Sequence, residues 1–254
     1  MKVSLGGTAR SPEDVEKLGN LGLQFAEIPI TDPQKIKKSD MDAYRSLGKD
    51  LGLFYLCHGP LEGDPNNTTN LEEVYYPKLV TILSIMPELK MEVLTIHLWL
   101  DPRFVGKEVI KYKIGLLRRI IDKAKQQGVD LCIENLSEDA GHMIDAFKDL
   151  PDLNLTLDLG HAQLLSDENT SLGFIEMFPE RIRHIHLHDN RGGDSHEDDL
   201  HLPVGEGIID FKTIFQGLEQ IGYDKTITLE LRPNEINQCL GYVRDLLNLS
   251  QTLK

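Results

Sequence analysis

Short β-like runs alternate with longer amphipathic segments from one end of the chain to the other, and this alternation restricts the fold more than any other feature. The runs are Lys2–Leu5, Leu23–Ile28, Leu53–His58, Glu92–His97, Asp130–Glu134, Leu153–Asp158, Arg181–His186 and Thr226–Glu230. Each leads into a helical stretch, directly or through a loop. Strand–helix alternation predicts a parallel sheet, and eight units in 254 residues are what a single (β/α)8 TIM barrel requires. An open doubly wound sheet is the alternative, because periodicity alone does not decide whether the last strand closes on the first. No Pro/Ser-rich linker interrupts the pattern, so residues 1–254 are expected to form one α/β domain.

Helix punctuation agrees with this partition. "SPEDVEKLG" offers Ser11 as N-cap, Pro12 at the first helical position and acids in the first turn. "KEVIKYKIGLLRRIIDKAKQQG" carries apolar residues at spacings of three and four and stops at Gly128.

Side chains alternate faces along a strand, so each run divides by parity. Leu153, Leu155 and Leu157 oppose Asn154, Thr156 and Asp158; Ile227 and Leu229 oppose Thr226, Thr228 and Glu230; Ile185 and Leu187 oppose His184, His186 and His188. The apolar set suits the layer beneath the helices, and the other set points to the barrel axis. The last inward residues of strands three to eight are then His58, His97, Glu134, Asp158, His186 and Glu230. All six are metal-ligand types, although the chain's 41 acids and nine histidines make up only about one residue in five. Carboxylates converging on one rim repel one another, whereas a divalent cation neutralises them and accepts histidine and carboxylate together. The strand ends therefore predict a divalent metal, and the histidine content favours Zn²⁺ or Mn²⁺ over Mg²⁺.

The formal net charge of −14 argues against a broad basic surface for nucleic acid or membrane. Cys57, Cys132 and Cys239 form no C-x-x-C pair and are too few for a disulfide framework. With no apolar signal core in "MKVSLGGTAR", a cytoplasmic protein is expected.

Through "CHGP", "TIHLW", "IENL", "LDLGHA", "HLHDN", "HLPVGEGIIDF" and "LELRP" the chain resembles the xylose isomerase-like TIM-barrel superfamily over essentially its whole length. That superfamily includes sugar and sugar-phosphate isomerases and epimerases and the endonuclease IV type of apurinic-site nuclease. The resemblance to the epimerases implies one divalent ion held by Glu134, Asp158, His186 and Glu230. Glu134 and Glu230 would then exchange a proton beside a carbonyl on a small sugar or sugar phosphate, through an enediolate. The resemblance to the nucleases implies three zinc ions and phosphodiester hydrolysis on nucleic acid. His58, His97 and Glu134 would serve the first ion, Glu134, Asp158, His186 and Glu230 the second, and His161, Asp199 and His201 the third. "LDLGHA" and the stretch after Glu134 look more like the isomerase branch, so one to three ions and an isomerase or epimerase are expected, with the trinuclear phosphodiesterase as alternative. A homo-oligomer is compatible with either.

Several residues admit two roles. Superfamily analogy makes Glu27 a substrate-hydroxyl contact at the end of strand two, against a structural salt bridge. Asn135 either contacts substrate or orients Glu134. His161 is a ligand or a substrate contact, and His188 is a rim contact or a solvated loop residue. Arg232 either forks onto a substrate anion or makes a surface ion pair. His184 is expected as a hydrogen-bonded core residue beneath His186. Trp99, Arg103 and Phe104 form a stacking platform or rim packing.

Overall fold

The computed structural model describes residues 1–249, without the side chains of His196 and Leu249. Eight parallel strands close into a barrel in sequence order: β1 (Ser4–Thr8), β2 (Phe25–Pro29), β3 (Phe54–His58), β4 (Val93–Ile96), β5 (Asp130–Glu134), β6 (Asn154–Asp158), β7 (Ile182–Leu187) and β8 (Thr226–Leu229). Closure comes from the pairing of Ser4, Leu5, Gly6 and Gly7 with Thr226, Ile227, Thr228 and Leu229, and it excludes the open sheet. Residues 250–254 of the expected domain lie outside the described residues.

Most strand bounds move by a residue or two from those expected, as element ends do. His97 and Glu230 follow β4 and β8 directly, and the Glu230 N–H still donates to Leu187 O at 3.1 Å, continuing the ladder. The larger correction is β1, expected at Lys2–Leu5 and found at Ser4–Thr8. Its glycines read poorly as strand, but packing selects them: a Cβ on Gly6 would stand 2.3 Å from the Phe25 ring.

The helix Pro12–Asn20 begins as its sequence implies, with the Ser11 hydroxyl accepting the Asp14 N–H at 3.3 Å. Lys107–Gln126 runs up to Gly128, which takes φ +69°. Such helices cover the barrel with their apolar faces against Leu94, Ile96, Leu131, Ile133, Leu155, Leu157, Ile185 and Ile227, the outward parity set. Inside, Phe25, Leu56, Val93 and Cys132 form a separate apolar plug at the base. Above it Thr95 and Thr156 hydrogen-bond at 2.8 Å, and the polar inward residues continue toward the strands' C-terminal ends. All three cysteines are buried free thiols. Among the described residues no helix is long and apolar enough to cross a membrane.

Candidate metal centre

The register brings His58, His97, Glu134, Asp158, His186 and Glu230 to one rim. Glu134 is the hub, with no exposed side-chain surface. Its Oε2 lies 3.2 Å from His58 Nε2 and 3.0 Å from His97 Nε2, and its Oε1 lies 3.2 Å from His186 Nδ1 and 3.3 Å from His161 Nδ1. One carboxylate oxygen thus faces each histidine pair. Among the described residues, potential donor atoms within 4.8 Å of one another form five overlapping groups: His58, His97 and Glu134; Glu134, Asp158, His186 and Glu230; His161, His188, Asp199 and His201, the third group; His58, His186 and Glu230; and, one layer down, Glu27, His184 and His186.

Asp199 and His201 reach the third group through a loop built on Asp189, a residue the strand-end reasoning missed. The buried Asp189 carboxylate accepts the N–H groups of Asn190, Gly205, Gly207 and Ile209, while its backbone pairs with Leu202 in both directions. A Gly-x-Gly turn needs an acceptor for its N–H groups, so "HDN" followed by "VGEG" was the available signal. His201 sits at φ +44°, a conformation unusual for a side-chain-bearing residue, and Glu230 O accepts from its Nδ1 at 3.1 Å.

These residues fit divalent ions on two observations. First, histidines are held from behind so that the other nitrogen faces the group: His58 Nδ1 donates to Gly59 O at 2.9 Å, and His201 Nδ1 donates to Glu230 O at 3.1 Å. Anchoring one nitrogen on an acceptor sets the tautomer that a ligand needs. Second, Asp158 Oδ2, Asp199 Oδ1, Glu230 Oε2 and His188 Nε2 are buried without a hydrogen-bond partner. Unsatisfied carboxylate oxygens at this depth are costly unless a cation meets them. The donor set thus fits a divalent cation bound through His and carboxylate together.

Without ions the same groups neutralise one another. Burial by itself lowers His58, but the hydrogen bond and charge of Glu134 outweigh it and bring it to about 9. His201 also reaches about 9, burial being outweighed by Asp199 and Glu230. His161 and His186 are pushed well above the ordinary histidine value against burial, by Asp158, Asp199 and Glu134 in one case and by Glu27, Glu134 and Glu230 in the other. Burial opposes ionisation of Asp158, yet His161 and His188 bring it down to about 2. A cation bound by these groups would have to displace those protons.

The remaining site residues fall into place around this cluster, with several corrections. Glu27 is not at the rim: β2 pairs Glu27 with Leu56 and Pro29 with His58, so Glu27 is buried one layer down, beneath His186 and beside His184. The Asn135 amide is used on the β6 backbone, donating to Asp158 O at 2.9 Å and accepting the Asp158 N–H at 2.8 Å. His188 is no solvated loop residue; it is fully buried, 3.2 Å from Asp158 Oδ1 and stacked on His201 at 3.9 Å. Arg232 is exposed, with its N–H on Glu235 and no ion pair among the described residues. His184 is the expected core residue, bridging Thr226 and Thr228 at 2.7 and 3.0 Å. Trp99 stacks on Phe104 at 4.7 Å beside the cluster, while Arg103 spends its guanidinium on Asp101, Ser137 O and Leu165 O.

The xylose isomerase-like TIM barrel model matches residues 15–246. The chain belongs to that family. Among its relatives, an uncharacterised protein of Methanocaldococcus jannaschii is 30% identical over 56% of this chain and 52% of its own length. An inosose dehydratase of Lacticaseibacillus casei is 27% identical over 51% of this chain and 49% of its own. The chain thus spans about half the length of these two relatives. Of the solved structures, a D-tagatose 3-epimerase-like protein superposes with a TM-score of 0.82 at 20% identity over 98% of both chains. The IolI protein with a bound zinc atom superposes with a TM-score of 0.75 at 15% identity, over 98% of this chain and 96% of that one. At such identities the likeness establishes the shared fold.

Proposed function

We propose that the chain is a divalent-metal-dependent isomerase or epimerase of a small sugar or related polyol, folded as one domain. The observation that carries this reading is the convergence of Glu134, Asp158, His186 and Glu230 from the ends of four consecutive strands, with two glutamates in one donor group. The names of an inosose dehydratase and a tagatose 3-epimerase-like protein among its relatives and structural neighbours support it. Divalent ions at these donors supply Lewis-acid polarisation of substrate oxygens.

The two glutamates differ in access. Glu230 keeps 17% of its side chain exposed against none for Glu134, so it is the one that takes the proton from the carbon beside the carbonyl. If Glu230 returns its proton to the neighbouring carbon while the hydroxyl proton shifts between the two oxygens, the isomer forms; if a protonated Glu134 gives its own proton to the same carbon from the opposite face, Glu230 keeping the one it took, the epimer forms and exchange with solvent resets both carboxyl groups. Deuterium exchange from solvent into the substrate's acidic C–H tests the assignment. Glu230→Gln is expected to lower exchange by about 10²–10⁴-fold, with Glu134→Gln also impaired. Unchanged exchange in both variants overturns it.

A trinuclear phosphodiesterase is favoured by one separate observation, the placement of Glu134 between two histidine pairs with a complete third donor group alongside. Cleavage of an abasic duplex, lost in His58→Ala and His201→Ala, would establish it. The engagement of Arg103 on three protein acceptors leaves that side chain unsuited to a DNA phosphate.

A further inference from the structure

Beside the donor cluster lies a cavity of about 480 Å³ whose floor is His97, His161 and Asp199. Its wall is apolar: Leu61, Leu136, Leu164 and Leu165 close around the stacked rings of Trp99 and Phe104. We propose that the apolar wall of this cavity, above its donor floor, binds the end of the substrate that points away from the metal centre, and that this end is an uncharged planar or apolar group rather than a phosphate. The inference rests on the proposed function only for what happens at the metal-facing end.

Charge argues first. No Lys or Arg lines the cavity among the described residues, while Glu62, Asp194 and Asp199 do. A phosphomonoester against the apolar wall would meet Glu62 and Asp194 and find no lysine or arginine to pair with, because the neighbouring Arg103 guanidinium is spent on Asp101, Ser137 O and Leu165 O; positive charge lies only with the histidines of the floor. Construction argues second. The Trp99 N–H donates to Glu62 Oε1 at 2.6 Å, the Lys113 ammonium donates to Trp99 O at 2.7 Å, and the indole N–H donates to the Ser137 hydroxyl at 2.6 Å. Ser137 is in turn held by Asp101 at 2.6 Å, and Lys113 is paired with Glu62 at 2.7 Å. Lys113, Glu62 and Asp101 are all buried. A buried ionic network thus aims one indole into the cavity, and a tryptophan that merely filled core space would need no such support. Nearby Leu61 stays 71% exposed and Phe104 41%, leaving apolar surface for a ligand to cover. Size argues third, since pockets of about 300–1,000 Å³ enclose drug-sized ligands, which gives room beyond a single hexose ring.

Trp99 is the sole tryptophan of the chain, so its emission reports occupancy directly. The test titrates EDTA-treated full-length protein with phenyl β-D-glucopyranoside, D-glucose and D-glucose 6-phosphate. The expected result is a saturable shift of Trp99 emission by the phenyl glucoside at a concentration at least tenfold below that needed for glucose, with glucose 6-phosphate no better than glucose. Phe104→Ala, at a half-exposed position, weakens the phenyl glucoside about tenfold, and Leu164→Arg reverses the preference toward glucose 6-phosphate. Tighter binding of glucose 6-phosphate than of phenyl glucoside to the unmodified protein, or an unchanged phenyl glucoside titration in Phe104→Ala, overturns the inference. Because emission needs no turnover, these outcomes separate from deuterium exchange: exchange without the preference refutes this inference alone, and the preference without exchange refutes the catalytic reading alone.

Discussion

Gly160→Ala tests whether the third donor group is assembled by packing. Gly160 has φ −76° and ψ −49°, which any residue adopts, so alanine imposes no backbone cost. Its new Cβ would stand 2.0 Å from His188 Cε1 and 2.3 and 2.4 Å from the two ring nitrogens. That is more than an ångström short of the contact distance of about 3.5 Å. The imidazole has nowhere to retreat, since it is fully buried and lies against the His201 ring at an interplanar angle of 13°. Overpacking of this kind costs about 1–3 kcal/mol. A shift of that size also far exceeds the tolerance of about 0.2 Å that metal–ligand distances allow. Urea unfolding and zinc per chain after dialysis measure the two effects. The variant is expected to lose about 1–3 kcal/mol and to retain one zinc ion fewer than the unmodified protein. Gly173→Ala is the control: its Cβ meets only Ala140 Cβ, at an ordinary 3.7 Å, within a helix where alanine gains about 0.5–1 kcal/mol over glycine. Unchanged stability and zinc content in Gly160→Ala would refute the idea that His188 is held in place by the missing side chain.

Two further outcomes follow from buried charges. Lys113→Met leaves the Glu62 carboxylate buried and unpaired and is expected to cost about 3–5 kcal/mol, most of it regained when Glu62→Gln is added; equal losses in the single and double variants, read by Trp99 emission in urea, would contradict the pairing. In chelator-treated protein, the raised values of His58 and His201 mean that their pairing with Glu134, Asp199 and Glu230 contributes stability fully present below pH 6.5, the ordinary histidine value, and lost as pH rises through about 9. The urea midpoint should therefore fall between those limits, and a rise would refute the assignment.

Much of the donor set was legible because strand parity is local. A residue's inward direction depends on its neighbours two positions away, so His58, His97, Glu134, Asp158, His186 and Glu230 stand out from the chain itself. Loop residues do not obey parity. His161, Asp199 and His201 were found by resemblance, and His188 was left between a contact and a solvated side chain. Glu27 was misplaced because its height in the barrel depends on its register against β3, a property of the pair rather than of either strand. The partners of Asn135 belong to the β6 backbone, 23 residues away, where its neighbours in the chain give no sign of them.

By itself the sequence determined the repeating strand–helix units, the greasy and polar faces and the chemistry of the strand ends, all consequences of short-range periodicity. Only the tertiary structure decided that β1 closes on β8, that Glu134 faces a histidine pair with each oxygen, and that Asp189 returns Asp199 and His201 to His161. Trp99 likewise became a cavity wall only when Glu62, Ser137 and Lys113 came together around it. Each of these depends on groups far apart in the chain meeting at a few ångströms, and distances of that kind are set by packing and closure, which no local pattern records.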